Sequence, residues 1–382
     1  MKLSKIFLSV ATLSAMCAQA ESFEAGGIHF TTTGANSVKV DRVPADKAVT
    51  SPYKGVYIIP EQVYFDGANY NVTAIADSAF YQSKATEIQV PNTVKTIGEG
   101  AFAYATDLTS ITLPLHLNAV SKLMLAGTSV VNVAVPEGVK NIGWGAFQSC
   151  GLLHTMLLPS TTKKIEAYGY NNCHNLYEIY CAAPSAPEAS GWAIFIGLSG
   201  IDVIVPDEDA VQKYAANAIW GNEETFTLYP SEDVSITMTG EVEKYNDQYM
   251  RFALGNNLAY KIYKGDEQIA LTAADYYYVP NTAEGAEYTI VPTDMMNDAD
   301  PTIVIIEPSA VKNVIADYDL PKVYGRDGAI HIHGNTHGDI VTVFDMYGRL
   351  CFRRHTNGDE VITLDKGIYI VLVGNHPTKV RL

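Results

Sequence analysis

The sequence is poor in cysteine and in basic residues. Its 382 residues include only 5 cysteines, one of them within the first twenty residues, which is too few for a disulfide scaffold in a chain of this length. Lys and Arg number 26 against 42 Asp and Glu, so the formal net charge is −16. A surface this acidic repels phosphate backbones and anionic lipid headgroups. We therefore expect that neither nucleic acid nor lipid headgroups are partners.

The sequence also lacks the short motifs that accompany common catalytic chemistry. It has no zinc-protease helix, no nucleophile elbow, no phosphate-binding loop and no dinucleotide fingerprint. The GLSG segment at residues 197–200 lacks the spacing of a hydrolase elbow. We therefore predict that the protein is not an enzyme and uses no metal or cofactor.

The first twenty residues have the features of a secretory signal peptide. Two lysines stand near the start, and residues 6–15 form an apolar segment that is too short to span a bilayer. Ala18-Gln19-Ala20 matches the small-x-small cleavage pattern, so the mature chain should begin at Glu21. Lipidation of Cys17 stays open, although Met16 is larger than the usual preceding residue. No later segment is apolar enough to cross a membrane. We predict an exported protein at the cell surface or outside the cell, with the periplasm as an open alternative and without direct membrane insertion.

Two stretches of the chain have the same shape, KTIGEGAFAYATDLTSITLP (95–114) and KNIGWGAFQSCGLLHTMLLP (140–159). Aligned on the alanine-phenylalanine step, copies recur every 22 or 23 residues, with the large residue at Phe80, Phe102, Leu125, Phe147 and Tyr170. An upstream apolar residue keeps this period at Ile75, Ile97, Val120, Ile142 and Ile165, and a downstream one at Ile88, Ile111, Val133, Met156 and Ile179. Several positions that hold one period over five copies indicate a solenoid.

Each repeat is too small to bury its apolar residues alone, so neighbouring copies must stack into one core. Residues 108–114 (LTSITLP) are predicted to form a short parallel strand with Ile111 and Leu113 inward. The preceding EGAFAYA segment is predicted to form a tight helical turn that places Phe102 in the same core. Strands about 4.8 Å apart would give five coils a ladder of about 20–25 Å.

The unit consists of an isoleucine-glycine, an Ala-Phe step and a leucine-x-x-isoleucine-x-leucine-proline strand, and it resembles the BspA-like leucine-rich repeat family. The resemblance covers about residues 72–181 and is strengthened by the preceding segment YIIPEQVYFDGANYNVTAI. In the third copy Met124-Leu125 replaces Ala-Phe, which leaves a distorted turn open at that coil. The resemblance implies a secreted or surface protein of bacteria that binds a partner, often in adhesion.

The repeat period ends near residue 231, and short alternating apolar runs follow. Over residues 231–310, turn residues separate these runs about every ten positions, which is typical of a small antiparallel β-sandwich. The last segment, 311–382, is predicted to be a linker and another all-β unit. It resembles the C-terminal sorting domain of type IX secretion cargo at Val341, Val343, Asp345, Gly348, Arg349, Gly367, Tyr369 and Lys379. The usual start of that domain is replaced here by VYGRDGAIHI.

The predicted fold class is mainly β, with a leucine-rich-repeat solenoid followed by two small β-sandwich units. The predicted segments are a signal peptide (1–20), an N-terminal cap of the solenoid (21–71), the repeats with a C-terminal cap (72–230), an Ig-like β-sandwich (231–310) and a linker with a sorting-like β-sandwich (311–382). Asp207, Glu208 and Asp209 mark the start of a capping helix, because negative charge is favoured at a helix N-terminus.

Four groups of side chains have a chemical and a structural interpretation, and the structural one is preferred for each. The histidines of HIHGNTH (331–337) have the spacing to share a metal ion or to form a solvated strand face. The aspartates of DMMNDADP (294–301) fit calcium or a solvated acidic loop. Cys150 and Cys173 occupy a position that is small in every copy, so we expect buried thiols rather than a catalytic cysteine. The three tyrosines at 276–278 alternate along a strand, so at least one ring should face outward.

The candidate binding surface is the outward face of the repeat sheet. Its first column is polar throughout and consists of Glu87, Ser110, Asn132, Thr155 and Glu178; its second becomes apolar toward the end and consists of Gln89, Thr112, Ala134, Leu157 and Tyr180. We predict that a host or bacterial surface protein, or a glycan, docks across several coils, with Leu157 and Tyr180 as an exposed anchor. Two alternatives stay open: a merely solvated face, and a structural surface or matrix component without a discrete ligand. The oligomeric state is not predicted.

Overall fold

The computed structural model describes residues 20–42, 53–190, 193–231, 242–254, 258–282, 284–299, 301–306, 322–326, 328–335, 340–345, 349–356, 358–373 and 376–382. In chain order the first strands are β1 Ser22–Ala25, β2 Ile28–Gly34, β3 Ser37–Val40, β4 Lys54–Ile58, β5 Gln62–Phe65, β6 Ala68–Ile75, β7 Lys84–Gln89, β8 Thr96–Ile97, β9 Ser110–Thr112, β10 Asn132–Ala134, β11 Asn141–Ile142, β12 Thr155–Leu158, β13 Lys164–Glu166, β14 Glu178–Cys181, β15 Glu188–Ser190, β16 Ile201–Val205 and β17 Phe226–Pro230, with helix α1 Glu208–Ala215 before β17. The later strands are β18 Val242–Lys244, β19 Tyr249–Ala253, β20 Ala259–Lys264, β21 Glu267–Thr272, β22 Tyr276–Pro280, β23 Ala286–Thr293, β24 Thr302–Ile306, β25 Lys322–Arg326, β26 Ala329–Asn335, β27 Ile340–Asp345, β28 Leu350–His355, β29 Gly358–Thr363, β30 Ile368–Val373 and β31 His376–Arg381. Nearly all of the predicted signal peptide and the predicted linker therefore lie outside the described residues.

The repeats stack as parallel strands. One sheet joins β4, β7 and β9, another joins β10, β12, β14, β16 and β17, and a second ladder joins β11, β13 and β15. Pairing places Ile88 beside Ile111, and Val133 beside Met156 and Ile179, which confirms the predicted register. Because β16 and β17 pair in parallel with the same sheet, the stack of strands continues for two strands beyond the last of the five copies read from the sequence. We call the face of these sheets that points away from the repeat core the outward face.

Each coil reverses through a tight turn that buries the large residue of the Ala-Phe step. Phe102 is fully buried, and its ring centroid lies 5.5 Å from that of Phe80. Backbone hydrogen bonds connect successive turns, from Phe102 N–H to the Met124 carbonyl (3.0 Å) and from Leu125 N–H to the Ala146 carbonyl (2.9 Å). Both Met124 and Leu125 are fully buried. The third turn therefore keeps its place in the ladder and is not distorted.

The two ends of the repeat core are covered by elements of the same chain. The first sheet has the order β1-β2-β3-β6-β5, and β6 also pairs in parallel with β8, so this sheet continues into the repeats. Phe30 and Val38 belong to the same apolar core as the repeats. At the other end Trp220 is buried and donates its Nε1–H to the Pro187 carbonyl (2.9 Å). The core is therefore continuous from cap to cap.

Helix α1 begins where the sequence predicts. Asp207 is extended, and its carboxylate accepts the Ala210 N–H (2.8 Å), which satisfies one of the free donors at the helix start. Glu208 and Asp209 occupy the first turn, where negative charge is favoured. Among the described residues, no helix is both long and apolar enough to span a bilayer.

The later strands form two groups of antiparallel sheets, each with its own core. The sheets β18-β19-β22 and β21-β20-β23-β24 enclose Phe252 and Ile290, and we call the described residues within 242–306 the middle unit. The sheets β25-β26-β29 and β28-β27-β30-β31 enclose Val343 and Val371. Both groups fit small β-sandwiches, so the fold is mainly β, as predicted. The exact segment boundaries stay predictions.

Candidate binding site at the outward face of the repeat sheet

The outward face carries the two predicted columns in register. Strand pairing aligns Glu87 with Ser110, Asn132 with Thr155 and Glu178, Gln89 with Thr112, and Ala134 with Leu157 and Tyr180. Parallel strands about 4.8 Å apart make such columns, because each strand adds the same position of the repeat. The geometry of the columns therefore agrees with the sequence interpretation.

The second column is covered, contrary to the expectation of an exposed face. Ala134 and Leu157 share one apolar cluster with Leu258, Leu271 and Ala273 of the middle unit. Leu157 is 0% exposed. Burying a side chain of this size stabilises the contact by about 1.5–3 kcal/mol, so the apolar end of the column favours this packing. The prediction of an exposed anchor at Leu157 is wrong because the middle unit packs on it.

Polar residues of the second column bind the middle unit directly. The Gln89 amide forms two hydrogen bonds with the Tyr278 backbone, with Nε2 donating to the carbonyl (2.9 Å) and Oε1 accepting the N–H (2.9 Å). Thr112 Oγ1 lies 2.7 Å from Thr272 Oγ1, and both residues are buried. These contacts hold the middle unit on the repeat sheet. They also use the donors and acceptors that an external partner would need, so Thr112 is not a free surface residue.

The first column is only partly open. Asn132 and Thr155 are buried, and Thr155 Oγ1 donates to Glu178 Oε2 (3.3 Å). At the other end of the column, Glu87 Oε2 accepts a hydrogen bond from the Tyr278 hydroxyl (2.8 Å). The three other members of the column are half-buried. The expectation of an open polar column is therefore wrong at Asn132 and Thr155.

Tyr180 lies at the margin of the covered region. It is half-buried and packs against the cluster that contains Leu157, and burial with the Glu178 carboxylate nearby raises the pKa of its phenol to about 12. The middle unit contributes Leu258, Leu271 and Ala273 to this cluster. Residue 192, in the segment that the sequence offered as a possible cover, lies outside the described residues. Its column continues to Ile204 and Tyr229, and Tyr229 is 45% exposed. These two positions were missed because β16 and β17 follow no repeat pattern in the sequence.

A cleft of ≈ 390 Å³ opens between the repeat sheet and the middle unit. The polar residues of its repeat wall are Glu61, Gln89, Asn92 and Thr112, and the tyrosines and charged residues of its other wall are Tyr249, Lys264, Glu267, Tyr277, Tyr278 and Tyr288. Asn92 joins the walls, because its Nδ2 donates to the Ile269 carbonyl (2.8 Å) while its Oδ1 accepts the Leu115 N–H (2.9 Å). The volume falls in the range of about 300–1,000 Å³ that is common for small-molecule sites. Gln89 and Thr112 thus border a concave site instead of an open face.

The thiols have a structural role, as predicted. Cys150 and Cys173 are buried, and their Sγ atoms donate to the carbonyls of Leu125 and Phe147, each at 3.0 Å. Contact with Cys150 and burial raise the pKa of the Cys173 thiol. A thiol that keeps its proton is a weak nucleophile, and both sulfur atoms are buried, so the two side chains fit a role in packing.

The acidic segment is less solvated than the solvated loop expected from the sequence. Asp294 is buried, and its Oδ1 accepts the N–H groups of Met296 (2.7 Å) and Asn297 (2.6 Å). Asp298 forms an ion pair with Lys261 (2.6 Å). These carboxylates therefore serve contacts within the middle unit and, through a hydrogen bond that Asp294 accepts from the Ser231 hydroxyl, a contact with the end of the repeat region. The third aspartate, at position 300, lies outside the described residues.

The histidine segment lies on β26. The rings of His331 and His333 are 6.4 Å apart, and His333 Nδ1 lies 2.6 Å from Asp359 Oδ2. His337 lies outside the described residues. Within the described ranges, no group of three or more His, Cys, Asp or Glu side chains is arranged to hold a metal ion.

The three consecutive tyrosines alternate as predicted. Tyr277 and Tyr278 are buried, whereas Tyr276 is half-buried, with the Arg251 guanidinium carbon 4.2 Å from its ring centroid. The partly exposed ring is therefore paired with a cation of its own chain. Tyr277 and Tyr278 instead join the core and the wall of the cleft.

Comparison with known proteins identifies the repeat region. The family model "BspA type Leucine rich repeat region" matches residues 73–186 in six copies. Comparison with curated proteins gives no match. The match does not extend to the last segment, where the sorting-domain resemblance stays a prediction.

Several solved structures are similar over about half of the chain. They include the T. pallidum leucine rich repeat protein, at 24% identity over 48% of this chain and 81% of that one, with a TM-score of 0.40. A leucine rich cell surface protein from Faecalibacterium prausnitzii has 21% identity over 48% and 54% of the chains, with a TM-score of 0.36. The pneumococcal vaccine antigen PcpA has 17% identity over 50% and 51%, with a TM-score of 0.40. By the family match and the register of its strands, residues 73–186 of this chain are a BspA-type leucine-rich repeat region.

Proposed function

We propose that this protein is an exported bacterial surface protein that binds a protein or glycan partner, with the repeat region and the middle unit acting as one rigid scaffold. The observation that carries the proposal is the cleft of ≈ 390 Å³ between them. Buried contacts hold both walls, so a ligand would meet an ordered site and the free-energy cost of ordering it would be small. The repeat region is a solenoid, and stacked repeats commonly provide extended binding surfaces, which supports the proposal.

The proposed binding surface differs from the one read from the sequence. A partner is not expected to lie across the second column, because Ala134 and Leu157 are already packed against the middle unit. It would instead enter the cleft, where Gln89 and Thr112 lie at the repeat wall and Tyr249 is a half-buried residue of the opposite wall. Glu178 and Tyr180, at the open margin, are proposed as a secondary contact.

A structural role without a discrete ligand is the alternative, and one observation favours it. The middle unit occupies the face that a display scaffold would leave free, with hydrogen bonds from Gln89 and Thr112 and an apolar cluster around Leu157. Such a chain would serve as a stiff building block of a surface layer. The two functions differ in whether the cleft has a ligand.

A binding experiment on residues 21–382 separates them. The purified protein would be presented to a glycan array and to labelled surface proteins of host epithelial cells, and its affinity for each hit would be measured. Tyr249→Ala should weaken binding by about 1–3 kcal/mol, as is usual for an aromatic anchor. Tyr229→Ala is the matched control, because Tyr229 is exposed on β17 and does not line the cleft. Wild-type protein that binds nothing above background in either format would contradict the proposal and favour the structural role.

A further inference from the structure

We infer that the cleft takes a neutral, hydroxyl-rich glycan; the inference rests on the proposed function and names the ligand class of the same site. Its walls combine tyrosine hydroxyls, a half-buried tyrosine and few charges. The shape, the unpartnered hydroxyls and the charge of the cleft each point to this class of ligand.

The shape of the cleft is set before any ligand arrives. Its two walls are tied together by the paired hydrogen bonds between the Gln89 amide and the Tyr278 backbone and by the bond from Asn92 to the Ile269 carbonyl. The Tyr278 hydroxyl adds a third connection between the walls, because it donates a hydrogen bond to the Glu87 carboxylate (2.8 Å). A concave site between two packed units is a common position for small-molecule binding. A short glycan therefore finds a pocket rather than a flat surface.

Two largely buried tyrosines of the middle-unit wall line the cleft and could offer their hydroxyls to a ligand. Tyr277 and Tyr288 both line the cleft, and neither hydroxyl forms a hydrogen bond with another described residue, whereas the Tyr278 hydroxyl is already used. A phenol both donates and accepts, which matches sugar hydroxyls that do the same. Burial raises the pKa of the Tyr277 and Tyr288 phenols, so both keep the proton that they would donate.

The charges of the cleft exclude anionic ligands and disfavour cationic ones. Among the described residues that line the cleft, two are acidic, Glu61 and Glu267, and one is basic, Lys264. The whole chain has a net charge of −16, so a sulfated or sialylated glycan would be repelled. Lys264 Nζ lies 6.0 Å from the centroid of the Tyr288 ring. The aromatic face that would attract a cationic ligand therefore already has a cation of this chain above it. A neutral ligand with many hydroxyls fits both constraints.

The test uses an array of defined neutral, sialylated and sulfated oligosaccharides. Wild-type residues 21–382 would be compared with the double variant Tyr277→Phe/Tyr288→Phe, which removes two hydroxyls and keeps both rings in the core. We expect wild-type binding to neutral glycans and a loss of about tenfold in the double variant, since each hydrogen bond contributes modestly. Tyr229→Phe removes a hydroxyl outside the cleft and should bind like the wild type. Equal denaturation midpoints would show that the variants are folded.

The outcomes separate the inference from the proposed function. Equal glycan affinity of the double variant and the wild type overturns the glycan site in the cleft but leaves a binding protein. Binding only to sulfated or sialylated glycans, or only to protein or peptide probes, also overturns the inference and leaves the proposed function. Wild-type protein that binds no probe of any class overturns both.

Discussion

At the scale of single residues, the repeat period predicts which side chains carry the stability of the core. Phe102 is fully buried beside the Phe80 ring, so Phe102→Ala should lower the free energy of unfolding by about 3–5 kcal/mol. Cys150→Ala should cost much less, because the equivalent position of another coil already holds Ala105, which is also fully buried. Chemical denaturation of both variants measures the difference. Equal costs would contradict the assigned register.

The thiols of the folded protein should differ sharply in reactivity. Cys351 is exposed, whereas Cys150, Cys173 and Cys181 are buried and free. A thiol reagent should therefore modify one cysteine of the folded mature chain quickly and all four after unfolding without reductant. Mass spectrometry counts the modified residues. If only two cysteines were modified after unfolding, the other two would form a disulfide. That result would contradict the prediction that Cys150 and Cys173 stay reduced.

At the scale of the repeat element, each coil needs the left-handed backbone at two places. The first is occupied by Ser78, Gly100, Leu123, Gly145 and Tyr168, with φ between 54° and 62°. The second is occupied by Gln82, Tyr104, Gly127, Ser149 and Asn172, with φ between 54° and 68°. Residues other than glycine are strained in this region by about 1–2 kcal/mol, because their Cβ atom crowds the backbone. The turn geometry, and not the side chain, therefore sets the backbone here.

Two glycines only 24 positions apart in the sequence should respond oppositely to alanine. Gly127 has φ +68°, and a Cβ there would lie 2.7 Å from the Tyr104 ring, so Gly127→Ala should destabilise the protein by more than about 1 kcal/mol. Gly151 has open space around its Cβ position and no left-handed φ, so Gly151→Ala should be neutral or stabilise by about 0.4–1 kcal/mol. Denaturant midpoints give both values. A similar loss in the two variants would show that the turn geometry does not cause the effect.

The sequence predicts the packing within the repeats well, but it predicts the contact between the repeat sheet and the middle unit poorly. Inward positions such as Ile111 and Phe102 follow from the period, because neighbouring copies are related by a fixed shift. The cover over Leu157 follows from no local rule, since its partner Leu271 lies in a segment without repeats. One signal was present: a column that becomes apolar on a face expected to be solvated, as at Ala134 and Leu157, indicates a buried contact as readily as a binding anchor.

At the scale of the whole molecule, the repeat sheet and the middle unit should behave as one body because of their shared apolar cluster. Leu157→Asp places a charge among Leu258, Leu271 and Ala273, where an unpaired charge is strongly unfavourable. We expect the middle unit to separate from the sheet while the repeat core around Phe102 stays folded. Hydrogen exchange should then increase in the part of β21 that faces the sheet.

The control for this last prediction is Ile204→Asp, two strands further along the same column, where the side chain is half-buried and lies outside the cluster. It introduces the same charge on the same face and should leave exchange in β21 unchanged. If β21 of Leu157→Asp keeps the wild-type protection against hydrogen exchange, the hydrogen bonds of Gln89 and Thr112 suffice to hold the middle unit on the repeat sheet. Loss of protection throughout the repeat strands would mean that the middle unit is required for the solenoid to fold. Either result would contradict the prediction that the apolar cluster holds the interface and that the two parts can separate without unfolding the repeats. Increased hydrogen exchange confined to the middle unit would support this prediction.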